Sequence, residues 1–117
     1  MSKHISEELV EQIVEGLEEI KGEGITVLDL RSIENSVCDF FVIANALSGT
    51  QVRALGNSVE KVVFEKSKEK PWHVEGLENL EWVLMDYVSV VVHIFRTEAR
   101  AFYDLESLWG DAPVIGA

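Results

Sequence analysis

Leu9, Ile13, Leu17 and Ile20 recur at three- and four-residue intervals beside an acidic face, and Ser6-Glu7-Glu8 stands ahead of them. That spacing predicts an amphipathic helix with a polar start, ended by Lys21-Gly22-Glu23-Gly24. The period then changes. Ile25 to Leu30 is a short β-type run, Ser32 to Ser36 is polar enough for a loop, and Asp39 to Ala46 (DFFVIANA) reads as a buried strand. Both runs are expected to be central in a sheet. Ser48 is placed to cap a second helix in which Val52, Leu55, Val59 and Val62 or Val63 form one apolar stripe. Arg53, Glu60 and Lys61 are left to solvent there, and the polar tract Lys66 to Lys70 closes the helix.

Three further strands are expected at Trp72 to Glu75, Glu81 to Tyr87 and Ser89 to Phe95, with connections short enough for antiparallel pairing. Thr97 is then expected to cap a last helix, with Phe102, Leu105 and Trp109 along one face and Leu108 beside them. Gly110-Asp111-Ala112-Pro113 stops it, which leaves residues 111–117 as a flexible tail. The order α-β-β-α-β-β-β-α predicts a single α/β domain over residues 1–117: a mixed sheet of about five strands flanked by helices. The second helix is its crossover and the last three strands are a meander. Within the meander, Trp82, Leu84 and Asp86 point to one side and Val83, Met85 and Tyr87 to the other. Val83 and Met85, continued by Val88, Val90 and Val92, are one candidate for the buried side, leaving the Trp82 and Asp86 side freer. The reverse assignment also satisfies the pattern, with Trp82 in the core.

Composition narrows the partners. The 117 residues are 47% apolar and 26% charged, the balance of a globular domain able to bury its own core. Acidic residues number 21 against 10 basic, a formal charge of −11. Affinity for phosphate backbones rests on lysine and arginine, so direct nucleic-acid binding is disfavoured and a positively charged protein is the better match. The one cysteine, Cys38, excludes an internal disulfide and a multi-cysteine zinc site, and points to a reducing compartment, the cytosol by default. Glu7, Glu8, Glu11, Glu15 and Glu18 exclude a leader peptide or membrane span over Met1 to Ile20.

The motifs that carry chemistry elsewhere lack their companions here. Gly22-Glu23-Gly24 precedes a strand, where a dinucleotide loop must follow one, so it reads as a helix stop. His73-Val74-Glu75 has the H-x-E of zinc deaminases without the cysteine ligands that chemistry needs. No glycine-flanked serine elbow is present. Asp39 is followed by Phe40 and Phe41, not by further carboxylates, and reads as a strand-start residue satisfying loop amides. Phe40, Phe41, Phe102 and Leu105 read as core, and Cys38 as a small loop residue, partly buried. His93 shares a strand face with Val91 and Phe95 and reads as packed or hydrogen-bonded, by a partner the sequence does not name. No catalytic, metal or cofactor-binding residue is assigned. Trp82, Asp86 and Tyr87 instead have the make-up of interface anchors.

Several blocks carry a family likeness: Asp39-Phe40-Phe41-Val42-Ile43-Ala44, Ser48 with Gln51-Val52-Arg53-Ala54, Pro71 with His73-Val74-Glu75-Gly76, Glu81-Trp82-Val83-Leu84-Met85-Asp86-Tyr87, Val90-Val91-Val92-His93-Ile94-Phe95, and Phe102 through Ala112. In order and spacing they closely resemble the ribosomal silencing factor family, also called Iojap. The resemblance implies a nucleotidyltransferase-like topology without catalysis or cofactor. It also implies a translation repressor that binds the large ribosomal subunit through large-subunit ribosomal protein fourteen, a basic protein, and blocks joining of the small subunit when nutrients are short. Carried over by motif, the contact residues are Trp82, Asp86 and Tyr87, with Leu84 added by strand alternation. A nucleotidyltransferase-like enzyme and a homodimeric scaffold are the alternatives. Two departures stand out: Val88-Ser89 follows Tyr87 where the family usually turns on glycine, and Ala46 occupies another common glycine position.

Overall fold

The computed structural model describes residues 5–116. Its elements are α1 (Ile5–Glu19), β1 (Glu23–Asp29), β2 (Phe40–Ala46), α2 (Gly49–Ser67), β3 (His73–Glu75), β4 (Trp82–Asp86), β5 (Val90–Arg96), α3 (Thr97–Tyr103), α4 (Leu105–Leu108) and β6 (Val114–Gly116). They form one mixed sheet in the order β3-β4-β5-β2-β1-β6. β2 and β5 pair in parallel at its centre, and every other neighbouring pair is antiparallel. The expected crossover and meander are both present.

Local chemistry sets the helix ends. The Ser48 hydroxyl accepts the Gln51 N–H at 3.1 Å, satisfying one of the free donors at the start of α2. Lys68 closes that helix in the left-handed region, its N–H on the Phe64 carbonyl. After α1, Lys21 takes a φ of 62° and the Gly22 N–H returns to the Leu17 carbonyl at 2.9 Å, which is the stop expected there.

α1 and α2 cover one face of the sheet. Leu9, Ile13, Leu17, Leu55 and Val59 pack there against Val42, Val83, Met85, Val92 and Ile94. The helices approach closely because residue 16 is glycine: a Cβ there would lie 2.8 Å from Val59 Cα. Ser58 uses the same proximity to donate its hydroxyl to the Gly16 carbonyl at 2.7 Å. On the opposite face, Leu28, Phe41, Ile43 and Phe95 pack under α3 and α4 with Ala99, Leu105 and a half-buried Trp109.

The C-terminal third departs from expectation. Thr97 is the first residue of α3 and not its cap; its hydroxyl donates to the Ala46 carbonyl and accepts from Asn45 Nδ2. The expected single helix breaks at Asp104, which enters the left-handed region at φ 50°. The break turns Leu105 and Trp109 onto the sheet but leaves Phe102 81% exposed and Leu108 exposed as well, so neither is core. Residues 114–116 of the expected tail instead pair with β1 as a sixth strand, with the Asp29 N–H on the Pro113 carbonyl; Ala117 lies outside the described residues. Val88 is not part of the buried run either, because it occupies the turn between β4 and β5. Arg100 secures the join, donating to the Gly24 carbonyl, Asn45 Oδ1, Thr26 Oγ1 and Glu106 Oε2.

Candidate functional site

Burial along β4 shows which side is core. Val83, Met85 and Tyr87 are buried beneath α1 and α2, whereas Trp82, Leu84 and Asp86 are half-buried on the other face. Tyr87 is only 5% exposed and belongs to the inner cluster, so it does not lie at the rim of the Trp82 face. Burial raises its phenol above the ordinary range by penalising the charged form. The structure therefore brings Trp82, Leu84 and Asp86 together and sets Tyr87 behind them.

Cross-strand register extends this face. Trp82 lies opposite Phe95, Leu84 opposite His93 and Asp86 opposite Val91 on β5, while Phe41 follows on β2. On the outer side, His73 and Glu75 of β3 stand opposite Asp86 and Leu84, and His73 Nε2 is 2.8 Å from Glu75 Oε2. α3 and α4 cover Leu28, Ile43 and Phe95 and reach the edge of Phe41 through Trp109. Beside them lies an open groove of about 460 Å³ lined by Val37, Phe41, Trp72, Leu84, Asp86, Val88, Val91 and His93. Trp72, 78% exposed, is its most prominent wall. Sequence reasoning assigned Trp72 only to the start of a strand, and nothing in the local pattern joins it to Val37 or Val88, which reach the groove from other loops.

At the closed end, Trp82 lies 4.9 Å from both the Phe95 and Tyr103 ring centroids, and its Nε1–H donates to His93 Nδ1 at 3.0 Å. This supplies the partner that the sequence left unnamed. An acceptor at Nδ1 places the ring proton on Nε2, and burial lowers the His93 pKa to about 4, so the imidazole is neutral. At the open end, Asp86 Oδ1 accepts the Val88 N–H at 2.7 Å, which ties the carboxylate to the turn. Asp39 is held through its main chain: its N–H donates to the Ser89 carbonyl, and its carbonyl accepts from Leu30. Cys38 is buried, donates to the Phe40 carbonyl at 3.3 Å and has its thiol pushed up to about 11 by burial, which makes it a poor nucleophile.

The face thus offers an apolar floor, exposed walls and a carboxylate at one edge. Those are the materials of a docking surface for an apolar side chain with basic neighbours. Among the described residues, no group of three or more His, Cys, Asp or Glu is placed to hold a metal ion. No helix among them is long and apolar enough to cross a membrane.

Residues 3–117 match the family model described as ribosomal silencing factor during starvation. The chain belongs to this family. A ribosomal silencing factor from Halalkalibacterium halodurans is 38% identical over 110 residues, covering 94% of this chain and 92% of its own length. Among solved structures with similar folds, a crystal structure of a Chromobacterium violaceum protein superposes with a TM-score of 0.82 at 39% identity, over 89% of this chain and 85% of that one. A Bacillus halodurans crystal structure gives 0.81 at 34% identity, over 95% and 99%. The six-stranded mixed α/β domain is therefore the family's architecture in this chain, with one strand more than the sequence pattern predicted.

Proposed function

We propose that this chain is a ribosome-associated repressor of translation. On this reading it docks in the cytoplasm on large-subunit ribosomal protein fourteen through the open half of the Trp82 face, and its bulk keeps the small subunit from joining. Family membership supports the ribosome-associated role. The single observation that carries the docking site is the groove itself, open beside the part of the face that α3 and α4 cover, with Leu84 and Asp86 in its lining.

A net charge of −11 favours a basic protein over the phosphates around it. Leu84 and Asp86 touch the partner, and Trp82 flanks them on the same strand face. Tyr87 contributes from behind, by supporting β4. An interface of about 800 Å² on each side is enough to exclude a large body without any chemical step.

Co-sedimentation with purified large subunits tests this. Loss of a central anchor costs roughly 2 kcal/mol, about 30-fold in Kd, which is the loss expected for Leu84→Asp. Asp86→Asn keeps the oxygen that caps Val88 and removes the charge, so it is expected to weaken binding while leaving the circular dichroism spectrum unchanged. Wild-type binding by both variants would refute the assignment of this face.

A further inference from the structure

His93 is 3% exposed, its Nε2 has no hydrogen-bond partner, and its ring lies in a largely apolar setting between Phe41, Leu84 and Phe95. A buried donor left unsatisfied lowers stability. An aliphatic residue would fill the same position without that penalty, so the imidazole is not explained by packing. What it does supply is one acceptor, Nδ1, on the Trp82 indole N–H at 3.0 Å.

That bond decides where the indole lies. Trp82 and His93 are diagonal neighbours on adjacent strands, since Trp82 stands opposite Phe95 and Leu84 opposite His93. The contacts to Phe95 and Tyr103 bracket the indole but are tilted, at 31° and 47°, and stacking of this kind does not fix rotation within the ring plane. A directional hydrogen bond does. With it, the indole stays packed against Phe95 and Tyr103 beside His93; without it, the half-buried N–H is satisfied by turning toward water.

We propose that His93 is a positioning residue of the docking face: by accepting the Trp82 N–H it holds the indole in place on that face, beside the groove that His93 and Leu84 line. Affinity for the basic partner then depends on where the indole is held as well as on the side chains that line the groove. This rests on the docking reading above, and Leu84→Asp is the control for that reading.

The test joins large-subunit co-sedimentation with proton–nitrogen correlation spectra of the tryptophan indoles, in full-length protein. His93→Leu is expected to bind about tenfold more weakly, to keep or raise the thermal midpoint, and to move the Trp82 indole resonance to a solvent-exchanging position. A merely structural role would not pair undiminished stability with weaker binding. His93→Gln, which restores an acceptor, is expected to recover part of the affinity and keeps the test available should the leucine variant fold poorly. In a Trp82→Phe background, where no N–H is present, His93→Leu is expected to cost nothing further in binding. Wild-type affinity for His93→Leu alongside a displaced indole resonance would overturn the proposal, as would an equal loss with and without Trp82. If Leu84→Asp also binds normally, the docking reading falls and the proposal with it; if Leu84→Asp alone abolishes binding, only the role of His93 falls.

Discussion

Replacing Val88 with glycine is expected to stabilise the protein, although it removes an apolar side chain. Val88 sits at φ 76° between β4 and β5, in a turn where the Ser89 N–H reaches the Tyr87 carbonyl at 3.0 Å and the Tyr87 N–H reaches the Val90 carbonyl at 2.9 Å. An L-residue in the left-handed region costs about 1–2 kcal/mol, and β-branched residues are rarest there. Glycine escapes that cost but gives up about 0.4–1 kcal/mol through the greater freedom of its unfolded chain. Val88 is 65% exposed, so little burial is lost with its side chain. The balance is a gain of about 0.5 kcal/mol, or a rise of roughly 2 °C in Tm for a domain of this size. Alanine separates the two contributions, because it keeps the strain and loses the side chain. Urea and thermal unfolding should therefore rank glycine above both valine and alanine, with about 0.5 kcal/mol between glycine and alanine. A glycine variant no more stable than alanine would refute the strain argument.

Two further outcomes follow from the packing and from His93. Gly16→Ala gains helix propensity, but its Cβ would meet the backbone of Val59, so the helices must part and the Ser58 bond to the Gly16 carbonyl must stretch; urea unfolding should show a net loss of about 1–2 kcal/mol. His93 has its pKa lowered from 6.5 to about 4 by burial, so between those values the unfolded chain takes up a proton that the folded one refuses. Its contribution is complete above pH 6.5 and is lost as pH falls toward 4, at up to about 1.4 kcal/mol per pH unit. Urea midpoints measured from pH 7 to pH 5, above the main carboxylate range, should fall in the wild type and stay flatter in His93→Leu.

Periodicity carries far in this chain because most elements bury one face by ordinary means. The stripe from Val52 to Val63, the cap at Ser48 and the buried run from Phe40 to Ala46 are all where their patterns put them. Alternation in β4 separated its two sets of residues but could not say which was inside, since both sets contain large side chains. α1 and α2 decide that by covering one whole face, which buries Tyr87 and leaves Trp82 half-covered. The last helix misled because Asp104 breaks it without a glycine or proline as signal, and β6 is too short for any period to show. The groove was the least legible part. Its walls come from Val37, Trp72 and Val88, three loop or turn positions that only the assembled sheet brings together. The pairing of Trp82 with His93 likewise depends on strand register, which a single strand does not reveal.

The parallel pairing of β2 with β5 bears on when the protein becomes active during its own synthesis. Phe40 meets Val90 and Ala46 meets Arg96, so everything from α2 through β4 must be made before the central pair can close. Such closure across a long stretch of chain is slow and comes late. Until β5 inserts, Leu84 and Asp86 have no neighbouring strand on that side, Trp82 has no His93 to hold it and the groove has no floor. A chain that still lacks β5 therefore has, on the docking reading, no docking face to offer. On the docking reading, a factor that acts on ribosomes cannot engage a subunit while most of its own length is still being translated.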